Sequence, residues 1–506
     1  MFPFYKILAS TVCNPLLIQN TDPRIEPHYL RVQIGETFIP LVLNFLRPLD
    51  DKNNQSPSQS QYLDSFKSYK EELKIDPATA APDWLSRLNQ QAESMISDDL
   101  ADGLIQLNAH RLDDRTTQRI YKDAMTLLMT YRSAPQSLSS QDKESLKLLT
   151  LLVACASIEG KFDRQESISD NPILNGLLAK EAPLFVEQAR QGIKAKVRES
   201  HFGLLIALSY PNHPERSQSD ALKVVASLFI DDDVTDNSAS PLFLNPSLRK
   251  AVNDLFFSII TGSKELTQET QEIIEDIKSS QSPYFLWLNP IATLFGEVHS
   301  ILSTLRKDTS DYLNTEISNY FEYVEKMVAN RLSIETSGTL FSYQEQVTAR
   351  VYTGAVFIQI ILGFALLDLS IPPRIFSNAS YKNAFFHASM ASNFSNDILG
   401  FGKDPASDNL VSGLKTLGLA PLLQLLGQDP SIEMDINEAA LRVAAQSHNA
   451  HINSLLVALD ELGHKDKDKD TIKLICSAIY TACNAISHWQ ENSGRYPGFL
   501  NGATSL

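Results

Sequence analysis

Ala221-Leu222-Lys223-Val224-Val225-Ala226-Ser227-Leu228-Phe229-Ile230, running straight into Asp231-Asp232-Asp233-Val234-Thr235-Asp236, is the stretch that decides how this chain reads. Apolar residues at 221, 224, 225, 228 and 229 recur at helical spacing. Residues three and four apart stack on one side of a helix, so the same face continues onto Asp232, Asp233 and Asp236. Carboxylates on a core-facing stripe are costly unless a positive group meets them. Acids this close also repel one another, which makes a divalent cation their natural partner.

A second stretch, Asn396-Asp397-Ile398-Leu399-Gly400-Phe401-Gly402-Lys403-Asp404, repeats the logic with Asn396, Gly400 and Asp404 spaced i, i+4, i+8 on an expected helix. Oxygen ligands of this kind, few in number and shared with a substrate phosphate, suit Mg²⁺. An acid run in an acidic chain is also what a solvated helix end looks like, and the same pattern occurs again at Asp98-Asp99-Leu100-Ala101-Asp102. The conjunction with other residues therefore carries the argument.

Elsewhere the pattern is helical too. Ile120, Tyr121, Ala124, Leu127, Leu128 and Tyr131 form one amphipathic face, and many later segments behave alike. Only Leu30 to Leu46 hints at extended structure. The segment from Asp51 to Gln61 reads as a disordered loop, and Gly463 to Asp470 as a solvated turn between helices. The expected fold is all-α: a helical catalytic domain over residues 141–506, preceded by a mostly helical N-terminal extension over 1–140.

Composition narrows the function. The chain has 506 residues, 43% of them hydrophobic, enough for large buried cores. Its 44 Lys+Arg against 60 Asp+Glu give a net charge of −16, which disfavours nucleic acid and anionic membranes as partners. Cys13, Cys155, Cys476 and Cys483 show no paired-ligand spacing, so neither a zinc site nor a disulfide framework is expected, and a reducing cytoplasm is the default compartment. The start, Met1-Phe2-Pro3-Phe4-Tyr5-Lys6, lacks the order of a signal peptide. The most apolar run, Val356 to Pro372, is interrupted by Gln359 and Asp368, and reads as a buried core helix.

Two further sites join the acid runs. Arg350 shares a helix stripe with Gly354, Phe357 and Ile361, and Arg495-Tyr496 follows Trp489 and Gly494. Taken together, these motifs resemble those of the class I terpene synthases, the terpene cyclases, of microbial and fungal type. The aspartate-rich motif matches Asp232-Asp233-Val234-Thr235-Asp236, with Tyr210-Pro211 upstream. The second metal motif, N-D-x-x-S-x-x-x-E in the family, matches at Asn396 and approximately at Gly400 and Asp404. Arg350, 46 residues before Asn396, falls where the family carries its diphosphate-sensing arginine, and the C-terminal R-Y pair falls on Arg495 and Tyr496. The resemblance covers residues 180–506. Two positions depart from it: Gly400 stands for a hydroxyl residue and Asp404 for glutamate.

The resemblance implies a lyase with three Mg²⁺ ions (Mn²⁺ as substitute) held by Asp232, Asp233, Asp236, Asn396, Gly400 and Asp404. It implies diphosphate contacts from Arg350, Lys403, Arg495 and Tyr496, and linker and effector roles for Thr353 and Gly354. Phe229, Phe357 and Trp489 are candidates to face the allylic cation, and each also reads as plain core. The expected activity is ionisation and cyclisation of farnesyl diphosphate to a sesquiterpene in secondary metabolism, by a chain that can homodimerise as many relatives do. Size and N-terminal extension are similar to certain humulene synthases, which implies a humulene-type product. The alternatives are a diterpene cyclase acting on geranylgeranyl diphosphate, a chain-elongating prenyltransferase using Asp98–Asp102, and a non-catalytic helical interaction protein.

Overall fold

The structure is a computed structural model that describes residues 26–34, 37–46, 83–110, 112–162, 167–210, 213–235, 240–262, 266–279, 286–337, 342–366, 376–401, 409–465 and 469–493. Among the described residues the fold is all-α apart from one hairpin, in which β1 (Glu26–Ile34) pairs antiparallel with β2 (Thr37–Leu46). The loop expected at 51–61, the C-terminal Arg495 and Tyr496, and the metal-motif residues Asp236, Lys403 and Asp404 lie outside the described residues.

Two compact units make up the chain, and neither is continuous in sequence. The first joins Gln90–Glu199 to Lys223–Ser300. It contains the end of α1 (Asp83–Ser94), then α2 (Asp98–Ala109), α3 (Asp114–Ser133), α4 (Ser140–Ile158) and α5 (Pro172–Glu199). The second joins Met1–Asn89, Ser200–Leu222 and Ile301–Leu506, and includes α6 (Phe202–Ser209). The boundary at Leu222 falls inside α7 (Glu215–Thr235), after which α8 (Pro241–Leu244), α9 (Pro246–Thr261), α10 (Gln268–Ser279) and most of α11 (Leu288–Leu302) complete the first unit.

A domain boundary at residue 140 is not what the packing shows. Ile120, Tyr121, Ala124 and Leu128 of α3 share one core with Leu149, Leu152 and Val153 of α4 and with Leu174, Leu178, Ala182 and Phe185 of α5. Each large side chain buried this way stabilises by about 1.5–3 kcal/mol, so a cut at 140 would run through a single hydrophobic cluster. The amphipathic face read from α3 is the face that packs: Ile120, Tyr121, Ala124, Leu127 and Leu128 are all buried.

The rest of the second unit follows in order: α12 (Lys307–Ser337), α13 (Tyr343–Thr353), α14 (Val356–Leu366), α15 (Ala379–Leu399), α16 (Leu410–Lys415), α17 (Leu419–Leu425), α18 (Ile436–Lys465) and α19 (Lys469–Asn492). Its central pair is α15 against α18. Asn378 starts α15, its side chain accepting from the Ser380 and Tyr381 amides, a cap that contributes about 1 kcal/mol. Small residues on α15 (Ala384, Ala388, Ala391, Ser395) and on α18 (Ala439, Ala440, Ala444) are fully buried, which lets the two backbones approach closely. The apolar run from Val356 is a buried core helix as far as Ala365.

One polar contact is locked into this apolar seam. Nδ1 of His387 lies 2.9 Å from Nδ1 of His451, both imidazoles are buried, and His448 is buried beside them with Nδ1 against the Ala391 carbonyl. Burial pushes His387 down to about 4, and burial with the neighbouring histidines holds His451 well below the usual range. Both rings are therefore neutral when folded, while the unfolded chain takes up protons below about 6.5. Stability from this pair is fully present above about 6.5 and is lost as pH falls toward 4. We predict that His387→Gln flattens the pH dependence of urea unfolding in this window by up to about 1.4 kcal/mol per pH unit. An unchanged slope would show that the imidazole is already protonated in the folded chain.

Candidate active site

The acid run sits on the last turn of α7, and its register differs from the sequence expectation by one residue. Ala221, Val224, Leu228, Asp231 and Thr235 are the buried stripe, at steps of three and four. Asp231, not Asp232 or Asp233, is the inward acid. Asp232 is half-buried on the same flank as half-buried Phe229, and Asp233 is exposed. The reason is angular: Asp231 lies seven residues, two turns, beyond Val224, whereas the expected stripe drifted toward the helix flank. Neither carboxylate oxygen of Asp231 has a hydrogen-bond partner among the described residues. Burial, with the charge of Asp232 adding, pushes Asp231 up to about 8. A buried acid with orphaned oxygens beside a second acid is what a run designed to meet a cation looks like before the cation arrives, and its hard oxygen donors fit a divalent ion such as Mg²⁺.

The other acid run has a different fate. Arg190 of α5 donates from Nε and Nη2 to both oxygens of Asp102, at 2.7 and 2.6 Å, and Lys194 donates to Asp98 at 2.9 Å. Asp98–Asp102 is an ion-paired seam between α2 and α5.

In the second unit, α13 begins at a capping box: Ser342 Oγ accepts from the Glu345 amide, and the Glu345 carboxylate accepts from the Ser342 amide. It ends at Thr353. Gly354 follows, then Ala355 with φ of +52°, left-handed backbone that a residue with a Cβ seldom adopts, and α14 starts at Val356. The helix therefore breaks where the effector glycine was expected. Two side chains of α15 reach carbonyls of this last turn: Asn393 Nδ2 donates to Arg350 O at 2.7 Å and Ser389 Oγ to Val351 O at 2.7 Å. A Cβ at Gly354 would collide with the Asn393 amide.

Arg350 gathers the predicted residues one turn before the break. Its guanidinium donates to both oxygens of Asp397 (Nε at 3.2 Å to Oδ2, Nη2 to Oδ1), from Nη2 to Asn396 Oδ1 at 3.2 Å, and from Nη1 to Thr353 Oγ1 at 3.5 Å. Asp397 is completely buried and also accepts from the Leu410 amide at 2.8 Å, while Asn409 donates to its backbone carbonyl. Arg350, Thr353 and Asn396 thus meet in one cluster organised by Asp397. Asp397 stands in the second motif with no role assigned from the sequence. An acidic residue beside the motif asparagine, on a helix with no other charge from Ala384 to Leu399, was the available signal.

The second motif is not one continuous helical stripe. α15 stops at Leu399 because Gly400 is its C-cap, the Gly400 amide donating to Asn396 O at 2.7 Å. Gly400 has φ of −84°, open to any residue.

Aromatic rings crowd this break. Phe357 stacks on Phe385 at 5.4 Å between centroids and contacts Tyr352 at 5.9 Å; Tyr352 stacks on Tyr323 at 4.5 Å; and Phe385 continues to Tyr381 at 4.3 Å. Trp489, by contrast, is core: its indole is buried, Nε1 donates to Ser200 O at 2.6 Å, and its ring stacks on Phe202. A role facing substrate does not fit it.

Residues 223–417 match the family described as terpene synthase family 2, C-terminal metal binding, a span that includes the acid run, the helix break and Asn396. Over that span the chain carries the metal-binding region of a class I terpene synthase. No curated protein matches the chain in sequence. Among solved structures it is similar to germacradien-4-ol synthase from Streptomyces citricolor, with 15% identity, TM-score 0.43, and coverage of 57% of this chain and 83% of that one. It is also similar to linalool/nerolidol synthase from Streptomyces clavuligerus, with 18% identity, TM-score 0.44, and coverage of 60% and 89%. A third is 2-methylisoborneol synthase from Streptomyces coelicolor A3(2), with 12% identity, TM-score 0.44, and coverage of 59% and 84%. Similarity at this level says nothing about this terpene synthase's product.

Removing the organiser of the arginine cluster tests its weight. Asp397→Ala leaves the guanidinium largely buried without its carboxylate and lowers unfolding free energy by about 3–5 kcal/mol, whereas Arg350→Met combined with Asp397→Leu restores most of that stability. Denaturant titration of the three proteins checks this, and an Asp397→Ala cost below about 1 kcal/mol would show the pair to be solvated. Gly400→Ser, compatible with its backbone, leaves the unfolding midpoint unchanged in the same titration.

Proposed function

We propose that this terpene synthase ionises and cyclises farnesyl diphosphate to a sesquiterpene with release of diphosphate. The observation that carries the reading is the arginine cluster: a guanidinium, a metal-motif asparagine and a hydroxyl held together one turn before a broken helix. Arg350 supplies charge-assisted hydrogen bonds to the leaving group, and Lys403, Arg495 and Tyr496 add to them. Asp232, Asp236, Asn396 and Asp404 are the proposed holders of the divalent ions, and Mg²⁺ when bound neutralises the charge that builds on the departing diphosphate. The broken helix supports an effector role for Gly354, whose neighbourhood is rich in ring faces that favour a cation by about 0.5–2 kcal/mol each. Dry surroundings keep water from quenching the cation before ring closure. The engagement of Asp98 and Asp102 by Lys194 and Arg190 argues against the prenyltransferase alternative, which needs that run for metal.

The test is product analysis by gas chromatography–mass spectrometry. Purified protein is incubated with geranyl, farnesyl and geranylgeranyl diphosphate, each with Mg²⁺ and with chelator. A Mg²⁺-dependent cyclic hydrocarbon from the farnesyl substrate is expected. Cyclisation of the geranylgeranyl substrate alone would move the reading to a diterpene cyclase, and longer diphosphates formed only with isopentenyl diphosphate would overturn cyclisation. In the same assay Asp232→Ala and Asn396→Ala each lower turnover by at least about 100-fold with unchanged circular dichroism. Full activity in both would sink the metal assignment.

A further inference from the structure

The first unit brings three chemically mixed metal donors together, far in sequence from every residue assigned above. Cys155 and Glu159 lie one turn apart at the end of α4, where Glu159 is the C-cap, and His110 is the C-cap of α2. The His110 Nε2, Cys155 Sγ and Glu159 carboxylate oxygen all lie within 4.8 Å of one another. Along two edges of that triangle, His110 Nε2 to Glu159 Oε1 is 3.3 Å and Cys155 Sγ to the same oxygen is 3.4 Å. Around a tetrahedral zinc with bonds of about 2.0–2.3 Å, neighbouring ligands stand roughly 3.3–3.7 Å apart. Two of the three donor pairs already have that spacing, and the third lies within 4.8 Å.

We propose that His110, Cys155 and Glu159 form a zinc-binding site, separate from the Mg²⁺ chemistry of the synthase domain. Three observations support it. The donor set is sulfur, imidazole and carboxylate, which selects Zn²⁺ or a similar transition ion and suits Mg²⁺ poorly. The site lies where two helices end, so their C-terminal carbonyl dipoles favour a cation. Access is open: the Cys155 thiol is buried, but the His110 side chain is 33% exposed and provides the route from solvent. Lys161 already occupies the other oxygen of Glu159 at 2.7 Å, which orients the carboxylate and leaves Oε1 facing the thiol and the imidazole.

A cysteine thiol titrates at about 8.5 and so carries its proton at neutral pH. Zinc binding releases that proton and takes the imidazole at Nε2, with the ring proton on Nδ1. Thiolate and carboxylate then balance the two charges of the ion, and water completes the fourth position.

The experiment uses the full chain, chelator-stripped under reductant and returned to buffer with excess Mg²⁺. Co²⁺ is titrated as a spectroscopic stand-in and displaced by Zn²⁺. The expected result is one Co²⁺ per chain with a sulfur-to-cobalt charge-transfer absorption that Mg²⁺ does not remove and Zn²⁺ does. An all-oxygen site gives no such absorption, which separates this site from the acid run on α7. Cys155→Ser and His110→Gln each abolish the band and weaken zinc binding at least the roughly 100-fold that loss of a mere supporting partner can cost. His110→Gln, at a solvent-facing helix end, carries the test if Cys155→Ser does not fold. No band in the wild-type chain, or a band that survives His110→Gln with circular dichroism unchanged, overturns the proposal.

Discussion

The buried ion pair between Arg350 and Asp397 is the constraint on which the candidate active site depends. Neither group would leave water without the other, and the pair is tolerable only because a bidentate guanidinium and the Leu410 amide together satisfy the carboxylate. That requirement fixes three elements at once: α13 through Arg350, α15 through Asp397, and the start of α16 through Leu410. Asn396 is then placed by adjacency, because the same guanidinium reaches its side-chain oxygen. The break after Thr353 follows in the same register, with Asn393 and Ser389, four and eight residues before Asp397, donating to the Arg350 and Val351 carbonyls of the last turn. The stability spent on one charged pair thereby becomes positional accuracy for the groups around it.

Much of this was legible in the chain itself, and the misses have physical causes. Helical periodicity gave the all-α class and the packing face of α3, and the extended hint near Leu30–Leu46 is the hairpin. The family resemblance points to Arg350, Thr353, Gly354 and Asn396, and the structure brings Arg350, Thr353 and Asn396 into one cluster with the break at Gly354. Asp397 escaped because its partner is 47 residues away and a pairwise charge contact leaves no periodic trace. The stripe on α7 was set one residue off because Leu228 and Phe229 are both apolar, and only packing shows which of them faces inward. Trp489 escaped for the same kind of reason: an aromatic side chain facing substrate and one facing core are identical in sequence, and a hydrogen bond to Ser200, 289 residues earlier, decides the matter. A boundary at residue 140 failed because cores are assembled from distant segments, here α3, α4 and α5 with Lys223–Ser300 in one unit.

The two acid runs show why such a motif has to be read through its surroundings. Asp98–Asp102 and Asp232–Asp236 share a pattern of letters, yet they pose opposite electrostatic problems. The first was solved within the chain: Arg190 forks onto Asp102 and Lys194 meets Asp98, so its charge is neutralised at short range and the seam between α2 and α5 is what the carboxylates accomplish. Beside the second run, Asp231 is buried with both oxygens orphaned among the described residues, and its carboxyl is pushed up by burial and by Asp232. A chain gains nothing in stability from an acid held in that state, since replacing it with a leucine would remove the desolvation cost outright. Bound positive charge would offset that cost, which is the physical content of a metal-binding motif and a need that the ion-paired run does not have.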